Sequence, residues 1–302
     1  MSGAAEIVVL HAGADIVGES PLWDADRNAV WWVDIPGHAI HCRDFITGGV
    51  TSVETPFMPG ALALDGESNV IVAGGSGWHR LIDGGAFETL ADTGDASSEM
   101  RMNDGAVDPA GRFWAGSVPL KPTETPCGRL YRLDANGVFE LIDGLHTQNG
   151  TAVSPDGKTF YLADSHPRVS TIWAFDFDVA SGTLANRRVF HRPALGRPDG
   201  AAIDAQGCYW FAAIDAGLIV RLNPQGREMG AIGLPVSRPT NLGFCGEDLS
   251  TLVITSMAMG AEGEKLAGSL LAIKPGVKGW PQPRVTLLPV ISTREAGKLK
   301  TG

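Results

Sequence analysis

Val107-Asp108-Pro109-Ala110-Gly111-Arg112-Phe113-Trp114-Ala115 is the stretch whose reading decides the fold. An apolar residue leads into a four-residue turn of Asp/Pro/Gly type, and an aromatic strand follows. Turn formers between short β-branched or aromatic runs are hairpin signals. The same grammar returns at Val153-Ser154-Pro155-Asp156-Gly157 before Phe160-Tyr161-Leu162, and at Ile203-Asp204-Ala205-Gln206-Gly207 before Tyr209-Trp210-Phe211. Looser copies are Trp23-Asp24-Ala25-Asp26 before Val30-Trp31-Trp32, and Leu64-Asp65-Gly66-Glu67 before Val70-Ile71-Val72. The loosest is Phe244-Cys245-Gly246-Glu247 before Leu252-Val253-Ile254.

The first turn residues fall at 24, 65, 108, 154, 204 and 245, so neighbouring copies are 41 to 50 residues apart. A period of about 40–50 residues with strand grammar is the signature of a propeller, one four-stranded sheet per repeat. The fold expected is all-β: a six-bladed β-propeller of four-stranded antiparallel blades around a central channel. Six repeats consume residues 1–302 as a single domain. Ile7-Val8-Val9-Leu10 is expected to supply a strand to the last blade and close the ring. Two β-sandwiches, the alternative architecture, do not by themselves explain the regular period.

Composition agrees and excludes several partners. The 302 residues include 39 Gly and 19 Pro, an excess that disfavours helix interiors. A net charge of −10 gives no positive field for a phosphate backbone, so nucleic acid is not an expected partner. No apolar run approaches the roughly 18 residues that span a membrane. Met1 to Leu10 contains no Lys or Arg and carries Glu6, unlike a secretion signal. Cys42, Cys127, Cys208 and Cys245 are widely separated with no CxxC, and read as free thiols in a reducing cytoplasm. A closed ring has few edges to pair, so a monomer is the default.

The repeat also sets a register for polar residues. Five positions before each turn start stand Glu19, Gly60, Asn103, Asn149, Asp199 and Thr240. Blades are related by rotation, so these positions converge at one end of the channel. Four carry strong oxygen donors or acceptors just ahead of apolar strand residues, an expensive placement without partners. Asn149-Gly150 and Asp199-Gly200 can also be read as ordinary turns. Two carboxylates with carboxamide oxygens suit a hard divalent cation better than a thiolate-seeking metal.

These pieces resemble the gluconolactonase, regucalcin and senescence-marker-protein family of six-bladed propellers. The resemblance rests on Gly18-Glu19-Ser20-Pro21-Leu22-Trp23, Arg101-Met102-Asn103-Asp104-Gly105, Asp108-Pro109-Ala110-Gly111-Arg112, Gln148-Asn149-Gly150, Ser154-Pro155-Asp156-Gly157 and Arg197-Pro198-Asp199-Gly200. It implies one divalent cation held by Glu19, Asn149 and Asp199, with Ca²⁺ favoured over Zn²⁺, Mn²⁺, Mg²⁺ or Fe²⁺. It implies that Arg101 and Asn103 orient substrate hydroxyls, and that a sugar lactone is hydrolysed. One departure is that the count which reaches a substrate-contacting Glu in animal members reaches Lys121 here. Gln148 stands where Pro is frequent.

The chemistry expected is metal-assisted opening of an aldonolactone to the aldonic acid, with Asp199 as general base. Arg101, Asn103 and Lys121 are the substrate-binding candidates, and Asp104 is expected to brace the Asn103 loop. His146 and Trp23 are candidates to wall the pocket. Lys121-Pro122-Thr123-Glu124-Thr125-Pro126 reads as a loop over the site. Two alternatives keep the site: an organophosphate or other ester hydrolase, and a calcium-binding regulatory protein with little catalysis.

Overall fold

The computed structural model describes residues 6–94 and 99–286. Residues 1–5, part of the leader reading, lie outside the described residues. Six four-stranded antiparallel sheets form a β-propeller, with one short 3₁₀ turn at Asp83–Gly85 as the only helix among the described residues. The innermost strands are Gly18–Asp24, Pro59–Leu64, Met100–Val107, Gln148–Val153, Arg197–Ile203 and Pro239–Cys245. They define the first to sixth blades. Ring closure follows the expected route: Val8–His11 pairs with Leu270–Ile273 and completes the sixth blade. No helix among the described residues is long and apolar enough to cross a membrane.

The turn grammar has a physical cause beyond turn propensity. Asp108 is fully buried. Its Oδ1 accepts from the backbone of Ala110 and Arg112, and its Oδ2 from Arg112 Nε at 2.6 Å and Trp114 Nε1 at 2.7 Å. Asp204 repeats the arrangement with Gln206, Cys208, Trp210 and Arg221. Asp24 does so with Asp26, Arg27 and Trp31. One carboxylate thus closes the turn, anchors the indole of the next strand and neutralises an arginine, satisfying groups that would be costly to bury unpaired. Gly111 and Gly207 sit at φ +81° and +75°, the left-handed region where a side chain is strained.

Every innermost strand carries one extra residue relative to its neighbour. Glu19 pairs with Val33 but Leu22 with Trp31. The same offset separates Pro59 from Ala61, Met102 from Gly105, Asn149 from Ala152, Pro198 from Ala201 and Pro239 from Leu242. A bulge disturbs the strict alternation of side chains and re-aims those beside it. Six bulges at one level turn polar side chains toward the axis at the end where the inner strands begin.

The opposite end of the channel is crossed by the chain after the last strand. Trp280 N donates to Ile203 O at 3.0 Å, and Ala205 N to Lys278 O at 2.9 Å. Further on, Val285 N donates to Leu64 O at 2.7 Å and Thr286 N to Gly111 O at 2.8 Å. The segment therefore runs from the fifth blade to the second and third, across the diameter of the ring. Val285 is buried with Ala63, Ile71 and Phe113. A cavity of about 90 Å³ lies on the axis between this strap and the polar level, touching Asp104, Thr151 and Asn241 above and Trp280–Pro283 below.

Candidate functional site

Glu19, Asn103, Asn149 and Asp199 are all buried at the start of their inner strands, in the first, third, fourth and fifth blades. Asn103 Nδ2 donates to Asn149 Oδ1 at 2.9 Å and to Gln148 O at 2.7 Å. Arg101 Nη1 donates to Asn103 Oδ1 at 2.7 Å and to Met102 O at 2.9 Å. Asn149 Nδ2 donates to Ser165 Oγ at 2.8 Å, and Ser165 Oγ donates to Pro198 O beside Asp199. One chain of hydrogen bonds thus links the third, fourth and fifth blades.

Glu19 Oε2 accepts from Ser20 N at 3.0 Å and from Asn241 Nδ2 at 2.8 Å. No described residue hydrogen-bonds its Oε1. The Asp199 carboxylate likewise receives no hydrogen bond from any described side chain or backbone group. Burial pushes both carboxyls up, with like-charge repulsion from Asp104 adding to Glu19 and from Glu19 and Asp104 adding to Asp199. Asp104 is raised to about 6 by burial, although Thr151 N and Asn241 Nδ2 donate to it. Burial lowers the Arg101 guanidinium to about 10, and Glu19 and Asp199 pull it back up. Three buried carboxyls near one arginine thus hold their protons more tightly than free carboxyls, and a bound cation would favour their ionised forms.

Among the described residues, no three His, Cys, Asp or Glu side chains are placed to share a metal ion. The candidate set is instead two carboxylates, Glu19 and Asp199, with the carboxamide of Asn149. All three offer hard oxygens, and the Asp199 carboxylate is buried without a donor. Such a set fits a hard divalent cation.

The remaining candidates divide. Asp104 braces as expected, tying the Asn103 strand to Thr151 in the fourth blade. Asn149-Gly150 and Asp199-Gly200 are not turns but lie at bulges within strands. A Cβ on Gly200 would lie 2.0 Å from Asn241 Cγ, so close approach explains the glycine. Gly60 lies 2.5 Å from Asn103 O by the same measure. Thr240 turns away from the axis and donates to Gly18 O. Lys121 is exposed in the loop between Phe113–Pro119 and Gly128–Asp134, and Glu124 of that loop pairs with Arg168 at 2.7 Å. His146 stacks on His166 with ring centres 4.4 Å apart, just outside the Asn149 strand. Trp23 does not wall the site: it sits near the far end of its strand and packs edge-on against Phe45.

Sequence reasoning missed Asn241 and Ser165. Asn241 lies one residue past the polar register, as Asp104 follows Asn103. A bulge lets neighbouring residues both serve the axis, and the pairing of Asn103 with Asp104 was the available signal. Ser165 has no such signal, since it lies at the end of a second strand.

Residues 17–258 match the model of the SMP-30/gluconolactonase/LRE-like region. A 6-deoxy-6-sulfogluconolactonase from Pseudomonas putida is 37% identical over 275 residues, covering 89% of this chain and 94% of its own. A regucalcin from Danio rerio is 34% identical, covering 83% and 86%. A solved structure of a calcium-binding protein, regucalcin, from Agrobacterium tumefaciens superposes with a TM-score of 0.89 at 26% identity, covering 94% and 98%. With its six blades and these relatives, the chain belongs to the SMP-30/gluconolactonase/LRE-like family.

Proposed function

We propose that the protein hydrolyses a sugar lactone to the aldonic acid, with a divalent cation held by Glu19, Asn149 and Asp199. The observation that carries this reading is the buried Asp199 carboxylate, without a hydrogen-bond donor and beside Glu19. The relative named as a sulfogluconolactonase supports the substrate class. A divalent cation bound there supplies Lewis-acid polarisation of the lactone carbonyl.

The chain's own groups do the rest. Arg101 presents a fork of donors to ring hydroxyls, and Asn103 both donates and accepts, which suits a polyol. Their mutual hydrogen bond holds them in place before substrate arrives. Asp199 takes a proton from the attacking water. The water oxygen bonds to the carbonyl carbon, the bond from that carbon to the ring oxygen breaks, and the proton passes to the ring oxygen. The product is the open-chain hydroxy acid. Lys121, exposed on the loop that follows Pro119 at the end of the blade where Met100 begins the inner strand, suits an anionic substituent far from the carbonyl. The substrate in the relative's name carries a sulfo group of that kind.

A proton-release assay on five- and six-carbon aldonolactones, with and without a 6-sulfo group, tests the reading. Hydrolysis well above the spontaneous rate supports it, and no acceleration on any lactone overturns it. A second reading, cation binding without turnover, draws on the relatives named regucalcin. Calcium binding with no acceleration would favour it.

A further inference from the structure

We propose that Asn241 positions Glu19 for the cation, by sharing one amide group between Glu19 and Asp104. This rests on the cation reading above and adds a residue from the sixth blade to it. Asn241 is buried, and its Nδ2 donates to Glu19 Oε2 at 2.8 Å and to Asp104 Oδ1 at 3.1 Å. Its Oδ1 accepts from Leu242 N at 2.7 Å. That last bond fixes the amide: with the oxygen committed to Leu242, the nitrogen faces the two carboxylates.

The consequence for Glu19 is specific. Asn241 and Ser20 N both engage Oε2, which leaves Oε1 as the oxygen available to the axis. Asp104 is in turn held by Thr151 N at 2.8 Å, so Asn241 ties the first, third, fourth and sixth blades together at one level. Gly200 makes room for it, because a Cβ there would lie 2.0 Å from Asn241 Cγ. Asn241 therefore lies against the backbone that follows Asp199. It supplies a neutral donor among three buried carboxyls, where a further acid would add repulsion.

The test is calorimetric titration of Ca²⁺, Mg²⁺ and Mn²⁺ into chelator-stripped full chain. Asn241→Ser removes the donor's reach, and Gly200→Ala displaces Asn241 without changing any charge. Two independent variants guard against a folding failure in either one, with circular dichroism as the check. Asp204→Asn, at the far end of the inner strand, controls for mere loss of stability. The expected result is at least tenfold weaker cation binding in both site variants and unchanged binding in Asp204→Asn. Activity lost at limiting cation should return toward the wild type at saturating cation. Site variants that bind within twofold of the wild type overturn the role of Asn241 and leave the cation reading intact. A wild type that binds none of the three cations overturns both together.

Discussion

Asn103 donates from Nδ2 to Asn149 Oδ1 across 2.9 Å and so joins the third and fourth blades at the axis. Asn103 also accepts from Arg101, so one side chain orients a substrate-binding candidate and a cation-binding candidate together. Replacing it should disturb both. Asn103→Ala is expected to lower kcat/KM by about a hundredfold, the scale of an ångström-sized misplacement. Steady-state kinetics on the preferred lactone measure it. A change below threefold would separate the two asparagines functionally.

Lys121 is exposed, and no hydrogen bond or ion pair ties it to Glu19, Asn149 or Asp199. Its expected role is in binding rather than in the chemical step. Lys121→Ala should raise KM for a 6-sulfo lactone by about tenfold, roughly 1.4 kcal/mol, and leave kcat near its original value. The neutral lactone of the same ring size should be unaffected. Equal effects on both lactones would argue against contact with the anionic group.

Asp204 holds two backbone amides, an indole and a guanidinium while fully buried. Asp204→Ala leaves the Trp210 indole without its acceptor and Arg221 with only Gln206 Oε1. It should cost about 3 kcal/mol of stability, measured by chemical denaturation, with turnover at low temperature retained. Loss of turnover without loss of stability would contradict the division of labour between the two ends of the inner strand.

The seam where the ring closes should respond to pH. Asp15 Oδ2 accepts from Trp32 Nε1 at 2.8 Å, and its Oδ1 lies 3.6 Å from His41 Nε2. Burial raises the Asp15 carboxyl from 3.8 to about 7, opposed by the Trp32 hydrogen bond and assisted by Asp34. Between these values the folded state holds a proton that the unfolded state has released. Stability from this group is therefore present below about pH 4 and lost as pH rises to about 7. His41 is pushed below its ordinary 6.5 by burial and acts oppositely, lowering stability on the acid side of that value. Asp15→Asn should flatten the fall in melting temperature between pH 4 and 7. An unchanged slope would remove Asp15 as its source.

The fold was legible because the turn aspartates repeat with a constant purpose. Asp24, Asp108 and Asp204 each close a turn and hold a tryptophan of the next strand, so the chemistry that stabilises the blade is written in its spacing. The polar register was legible for the same reason, since rotation about the axis gathers equivalent positions. Asn241 escaped because a bulge places it one residue off that register. Trp23 misled because nearness in sequence to Glu19 is distance along a strand, and the two side chains lie toward opposite ends of it. The strap from Lys278 to Thr286 was invisible because it has no periodicity, and its order comes from backbone contacts with the second, third and fifth blades.

Hydrolysis through a cation held beside Asp199 is the proposed function's core. The direct measurement is lactone hydrolysis by chelator-stripped protein, before and after Ca²⁺ is restored, in the wild type and in Asp199→Asn. The stripped wild type is expected to fall to the spontaneous rate and recover with Ca²⁺, while Asp199→Asn stays at the spontaneous rate throughout. Full turnover by stripped protein whose cation content is verified as nil, or wild-type turnover by Asp199→Asn, would contradict it.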